Sequence, residues 1–258
     1  MITVHDIVSY LETVAPEYMK MDWDNVGLLC GRQNKEVRTV LVALDPFENV
    51  CWEAVSINAD LIVTHHPLIF QPPRTITDST SVGKCILMLA ANDISAFNLH
   101  TNLDCAPGGV NDVLAETLGL ENVCVIPQDE KSWGLLRCGT VPQQDLNCFL
   151  KAVKSNLGCD GLRYVDGGKP VHRVAVGGGA CGDCLLDAFD AGCDTFVTAD
   201  VKYNQFRDSL DLGINLIDAG HFHTENPVVA VIAGKLQAAF PEICVKIAQS
   251  HTDCMKFY

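Results

Sequence analysis

The eight histidines of this 258-residue chain are unevenly placed, and those with neighbours able to bind cations follow strand-like segments. His65 and His66 end the run LIVT, His100 and Asp104 follow ISAFN within NLHTNLD, and His221, His223 and Glu225 follow INLID within DAGHFHTE. In an open parallel sheet, ligands gather in the crevice beyond the carboxyl ends of the strands, so three such ends can converge on one point. Within a regular strand His65 and His66 would face opposite sides. At a strand end, with Pro67 terminating the ladder, both can turn to the same crevice.

Neutral imidazoles suit zinc, iron, nickel or copper, and carboxylates can bridge two hard or borderline cations. His65, His66, His221, Asp104 and Glu225 exceed what one open catalytic ion requires and match a pair of ions roughly 3.5 to 4 Å apart. A lone histidine at a strand end is ordinarily a hydrogen-bonded loop residue, so the reading rests on the three clusters together. His5, His172 and His251 read as surface or structural, and His223 is left open. Pro227 suits a first helical turn capped by Thr224 or Asn226, which puts Glu225 at a helix N-terminus, where a carboxylate is favoured without any metal.

The elements that must carry these groups alternate. TVLVALD, LIVTHH and ISAFNLH read as strands, separated by the helical patterns NVCWEAVSINA and VGKCILMLAAND and followed by GVNDVLAETLGL. That rhythm predicts βα units and an α/β fold of largely parallel sheets flanked by helices, with the metal site between two lobes at strand carboxyl ends. At the N-terminus Thr3 can cap a helix with Asp6 three residues on, and Val4, Ile7, Val8 and Leu11 share its apolar face. After VIPQDEKSWG the pattern restarts with the strand LLRCGTV, the helix LNCFLKAVKSNLG and the strands RYV and HRVAV. It continues through the helix DCLLDAFDAG, the strands DTFVTAD and INLIDAG, the helix PVVAVIAGKLQAAF and the strand EICVKIA. The expected lobes are residues 1–126 and 127–258, with the last thirty or so residues able to return to the first.

The chain is long enough to bury very roughly three quarters of its unfolded surface. Its 32 acidic against 18 basic residues leave a formal charge of −14, which disfavours nucleic acid as principal partner. A small anionic substrate remains compatible if metal ions supply local positive charge. No apolar run approaches the ~20 residues of a membrane span, and the amphipathic N-terminus does not read as a targeting segment. The thirteen cysteines are odd in number and mostly sit in apolar stretches, which fits reduced thiols and a cytoplasmic location.

Two motifs point elsewhere. GGGACG, residues 177–182, fits a dinucleotide-binding G-x-G-x-x-G, with Asp200 about 20 residues on. The same run satisfies any tight strand-to-helix connection. CGDC pairs Cys181 and Cys184 at thioredoxin-like spacing, although the surrounding pattern is not that of a thioredoxin. Neither a nucleophile elbow nor a Walker A loop is present.

The stretches MDWDNVGLLCG, TVLVALD, LIVTHHPLIF, NLHTNLD with GGVNDVLAETLGL, VTADVKYNQF and DAGHFHTE run in order from residue 21 to 225. Together they make the chain resemble the NGG-interacting-factor-like family in its short form, whose members are often labelled GTP cyclohydrolase 1 type 2 homologues. The resemblance implies two α/β lobes, a dinuclear metal centre and a toroidal homohexamer. It implies metal ligation by His65, His66, His221, Glu225 and a bridging Asp104, with His100 beside the site as the catalytic candidate, either supporting the ligands or transferring protons. Asp24 and Asn25 match a polar loop bordering the pocket, and Asn204 stands where the family commonly has histidine. The implied cofactors are two divalent ions, drawn from zinc, manganese, iron and nickel. The implied partner is a small-molecule substrate such as a nucleotide, attacked hydrolytically; the alternative is a non-catalytic metal-binding or adaptor hexamer.

Overall fold

A computed structural model describes residues 1–127 and 133–258. The chain divides into two units, residues 1–106 with 229–252 and residues 107–228 with 253–258.

The first unit opens with α1 (Val4–Val14), which begins where the sequence places it. The Thr3 hydroxyl accepts from Asp6 N, the Asp6 carboxylate accepts from Thr3 N at 2.8 Å, and Val4, Ile7 and Leu11 are buried. There follow β1 (Gly27–Cys30), β2 (Thr39–Ala43), α2 (Glu48–Ser56), β3 (Leu61–Thr64), α3 (Ser81–Ala91), β4 (Ser95–Asn98) and the five-residue α4 (Thr101–Cys105). The sheet order is β1-β4-β3-β2-β11, where β11 (Cys244–Ile247) returns from the far end of the chain to pair parallel with β2. Strands β2, β3 and β4 are mutually parallel and β1 is antiparallel at the edge. Every residue of β3 and β4 is buried, the expected state of parallel strands covered on both faces.

The second unit contains α5 (Val110–Thr117), β5 (Glu121–Ile126), β6 (Leu136–Gln144), α6 (Leu146–Leu157), β7 (Arg163–Val165), β8 (Val171–Val176), α7 (Leu185–Asp190), β9 (Thr195–Thr198), α8 (Tyr203–Leu212), β10 (Asn215–Asp218) and α9 (His221–Glu225). The helix α10 (Pro227–Ala239) follows. The sheet order is β5-β6-β8-β9-β10-β7, with β8, β9 and β10 parallel and the other pairings antiparallel. The expected α/β architecture of two helix-flanked sheets is therefore present, parallel through most of the first sheet and mixed in the second. Residues 107–126 pack with the second unit because β5 pairs with β6, a strand that follows it in sequence. Of the stretch VIPQDEKSWG, residues 128–132 lie outside the described part of the chain.

Among the described residues, no helix is long and apolar enough to cross a membrane.

Candidate metal centre

In the first unit the donors collect at the carboxyl ends of three neighbouring parallel strands. Strand β3 stops at Thr64, whose hydroxyl donates to the His66 carbonyl at 2.7 Å, while His66 N donates to Leu44 O at 2.9 Å. These bonds bend the chain as it leaves the sheet, and the imidazoles of His65 and His66 come to lie 4.9 Å apart. The His100 ring, after β4, lies 5.2 Å from that of His65 and 5.5 Å from that of His66. One nitrogen from each of the three falls within 4.8 Å of the others, a grouping able to hold a cation. Asp104 comes from α4, and its Oδ1 is 3.6 Å from His65 Nε2.

Each imidazole is oriented through its other nitrogen. His65 Nδ1–H donates to Leu99 O at 2.8 Å, His66 Nδ1–H to Asp45 Oδ1 at 2.6 Å, and His100 Nδ1–H to Asp24 Oδ1 at 2.7 Å. A carbonyl or carboxylate oxygen only accepts, so the proton sits on Nδ1 and the lone pair on Nε2. Histidines that ligate metals show this arrangement. Burial acts to raise the pKa of Asp24, but hydrogen bonds from His100 and Thr101 outweigh it and bring the carboxyl down to about 2. Burial likewise opposes ionisation of Asp45, and hydrogen bonds from His251 and His66 hold it well below the usual carboxylate range. Both acids are therefore ionised acceptors near neutral pH.

In the second unit the same logic recurs at the ends of β8, β9 and β10. His221 opens α9, Glu225 lies one turn on, and His221 Nε2 is 3.0 Å from Glu225 Oε2. His221 Nδ1 is 2.7 Å from Asp200 Oδ2, just beyond β9. A lone pair and a carboxylate oxygen are thus turned to one point, which either a proton or a metal ion can satisfy. Because α9 is helical, His221 and Glu225 share a face and His223 does not. His223 instead contacts Leu157 O and Asp253, each at 3.2 Å. A helix does begin at Pro227, as expected, but Thr224 and Glu225 lie inside the preceding α9, so Glu225 closes that short helix and Thr224 is no cap.

The glycine run 177–182 has its reason here. Gly179 has φ +63°, and a Cβ on it would lie 2.1 Å from Glu225 Oε1 and 3.2 Å from His221 Cε1. Its N–H donates to the Thr224 hydroxyl at 3.0 Å, and the neighbouring Gly178 N–H donates to Asn111 Oδ1 at 2.6 Å. The Gly178 and Gly179 amides are thus committed to side chains of their own unit, and the missing Cβ atoms make room for the His221–Glu225 pair. Asp200, the acid to which the G-x-G-x-x-G spacing pointed, orients His221.

Of the remaining sequence candidates, Asp24 is buried and holds His100 together with the N–H and hydroxyl of Thr101. Asn25 donates to Ile69 O at 2.6 Å. Asn204 lines a cavity of about 410 Å3 with Asp183, Asp208 and Leu212, none of them a candidate donor. His172 bonds Val141 O and His251 bonds Asp45, both structural contacts. The sequence reading missed Asp45, although it terminates TVLVALD at the same strand-end position that singled out the histidines. Replacing Asp200 by asparagine, which keeps size but not charge, is expected to weaken metal binding about 10- to 100-fold, measured by competition with a chromogenic chelator.

Two α/β units, each presenting imidazoles and carboxylates beyond its parallel strands, define a protein with groups suited to holding metal ions. The chain belongs to the Duf34/NIF3 (NGG1p interacting factor 3) family, whose profile matches residues 2–254. It is 36% identical over 239 residues to a Clostridium perfringens protein named GTP cyclohydrolase 1 type 2 homolog, covering 91% of each chain. A Clostridium acetobutylicum protein of the same name is 34% identical, with 98% of each covered. Among solved structures, a Bacillus cereus protein related to NIF3 superposes with a TM-score of 0.93 at 27% identity, covering 100% of this chain and 99% of that one. Staphylococcus aureus protein SA1388 gives 0.90 at 27% identity over the same shares.

Proposed function

We propose that the chain is a dinuclear divalent-metal protein of hydrolase type, with His65, His66, Asp104, His221 and Glu225 as ligands. Supporting this most directly is the fixed Nδ1–H of His65, His66 and His100, which turns three Nε2 lone pairs to one region within the first unit. His221, oriented by Asp200 and adjacent to Glu225, supplies a matching pair. The donor chemistry fits borderline ions such as zinc, manganese, iron or nickel and does not choose among them. Such ions supply Lewis-acid charge, which activates water as a nucleophile near neutral pH and offsets substrate negative charge.

In this reading Asp104 would be a carboxylate ligand beside His65, and His100 would carry protons: Asp24 holds its Nδ1–H, so Nε2 can accept a proton and return it to a leaving nitrogen. Trp23 and Phe70, 62% and 47% exposed, stand 6.3 and 6.1 Å from the His100 ring and offer a flat ring an apolar surface. A nucleotide base is such a ring, and the relatives' name directs the reading to guanine, attacked at the carbon between its imidazole nitrogens. The protein would work as a cytoplasmic homohexamer.

Elemental analysis of protein purified without added metal is expected to find about two divalent ions per chain, as a two-ion site requires. Metal-replete protein is then expected to turn over GTP or another member of a panel of nucleotides and cyclic amides, and Glu225→Gln to suppress that turnover. Absence of bound metal under saturating ion would overturn the reading. Bound metal without turnover on any substrate would favour a non-catalytic metal-binding or adaptor hexamer.

A further inference from the structure

Sequence spacing draws attention to Cys181 and Cys184, but the Cys181 thiol turns back to donate to Gly178 O at 3.2 Å, ahead of the 3-10 turn Gly182–Cys184. A different pair is placed for cross-linking. Cys124 on β5 and Cys138 on β6 are directly opposed in the antiparallel ladder, and their sulfurs are 3.3 Å apart. Opposed residues in such a ladder have Cα separations of about 4.5 or 5.5 Å, both inside the range a disulfide spans. The two sulfurs, 3.3 Å apart, need to close by little more than 1 Å to reach the ~2.0 Å of a disulfide.

We propose that Cys124 and Cys138 form a reversible oxidation site, a cross-strand dithiol that exchanges with low-molecular-weight disulfides. The two residues divide the work by exposure: Cys124 is exposed, while Cys138 is 2% exposed. The incoming disulfide therefore meets Cys124 first. The Cys124 thiolate attacks one sulfur of the small disulfide, whose S–S bond breaks and releases one small thiol, leaving a mixed disulfide on Cys124. Cys138 Sγ then attacks Cys124 Sγ, and the protein S–S bond forms as the second small thiol leaves. Two protein thiols are oxidised, one small disulfide is reduced to two thiols, and both protons end on the released thiols. Burial and the neighbouring Cys124 thiol push the Cys138 thiol up to about 12, so Cys138 is the slow second nucleophile; the Arg173 guanidinium, with Nη2 3.6 Å from its Sγ, offsets part of that rise.

Other neighbouring thiols lack this combination. Cys51 contacts Cys85 thiol to thiol, but both lie in the core of the first unit where no oxidant reaches. Cys148 and Cys254 are exposed, and no thiol contact is found for either among the described residues. Strand β5 is an edge strand held by β6 alone, with its first four residues exposed, so a covalent link there restrains one of the two edges of the sheet.

The test uses the intact protein incubated with glutathione disulfide, then denatured and alkylated. Two fewer alkylatable thiols than the thirteen of the chain are expected, with a non-reduced digest joining the Cys124 and Cys138 peptides. Dithiothreitol should restore all thirteen. Cys124→Ser, an exposed and conservative change, should abolish the link, whereas Cys148→Ser should leave it intact. The oxidised protein should also unfold at a higher temperature than the reduced one, a difference absent in Cys124→Ser. The proposal is overturned if all thirteen thiols stay alkylatable, if Cys124 stays a stable glutathione adduct, or if it links to another cysteine.

Discussion

Replacing His65 by alanine is expected to lower metal affinity by at least about 100-fold, exceeding the 10- to 100-fold typical of residues that only orient a ligand. His65 is 3% exposed, its ring is 4.9 and 5.2 Å from those of His66 and His100, and its Nε2 faces Asp104. The substitution removes the donor at the centre of the first unit's group, so neither His66 nor Asp104 can compensate from its own position. It also takes the donor from Leu99 O, which should cost about 1 to 3 kcal/mol of apo stability. Metal content after exhaustive dialysis and apo-protein Tm separate the two effects. His172→Ala, which changes an exposed structural histidine, should leave metal content unchanged. Metal content and affinity unchanged in His65→Ala, in protein of otherwise native fold, would show that His65 is not a ligand.

The second large effect is expected from a single methyl group. Gly179→Ala places Cβ 2.1 Å from Glu225 Oε1 at φ +63°. The backbone conformation alone costs an alanine about 1 kcal/mol, a tolerable loss for a domain. The overlap is resolved by the more movable partner, the end of the Glu225 side chain, which must swing out of its buried position. Gly179→Ala should therefore fold, with a small decrease in Tm, yet lose most of its metal and any turnover. Thermal denaturation beside metal titration checks this. Equal metal affinity in the variant and the parent would mean that Glu225 does not ligate. By contrast Gly168→Ala, at φ +78° with open space around its Cβ, should show the backbone penalty without metal loss.

Much of the frame was legible because its signals are local. The capping pair Thr3 and Asp6, the Asp145 cap and left-handed Gly158 bounding α6, and the apolar runs of β2, β3 and β9 each encode an element within about ten residues. Among the elements that escaped notice, two did so for an equally physical reason. Strand β1 is half-buried throughout and shows no alternation, and α8 buries only Gln205 and Ser209, so neither carries an apolar period. For the candidate site, chain position beyond a strand end selected the histidines. It did not select Asp45 or Asp200, because lone acids at strand ends are commonplace.

By itself, the sequence determined the βα rhythm, the family, and which strands are followed by imidazoles and carboxylates. Periodicity, caps and motif order are properties of neighbouring residues, so a linear reading recovers them. Tertiary structure decided which oxygen holds each imidazole: Leu99, Asp45, Asp24 and Asp200 lie 21 to 76 positions from their histidines. It also decided that Gly179 makes room for Glu225 and that Cys124 meets Cys138. Strand order and register set those meetings, and both arise from burying whole elements against one another, which no local pattern records.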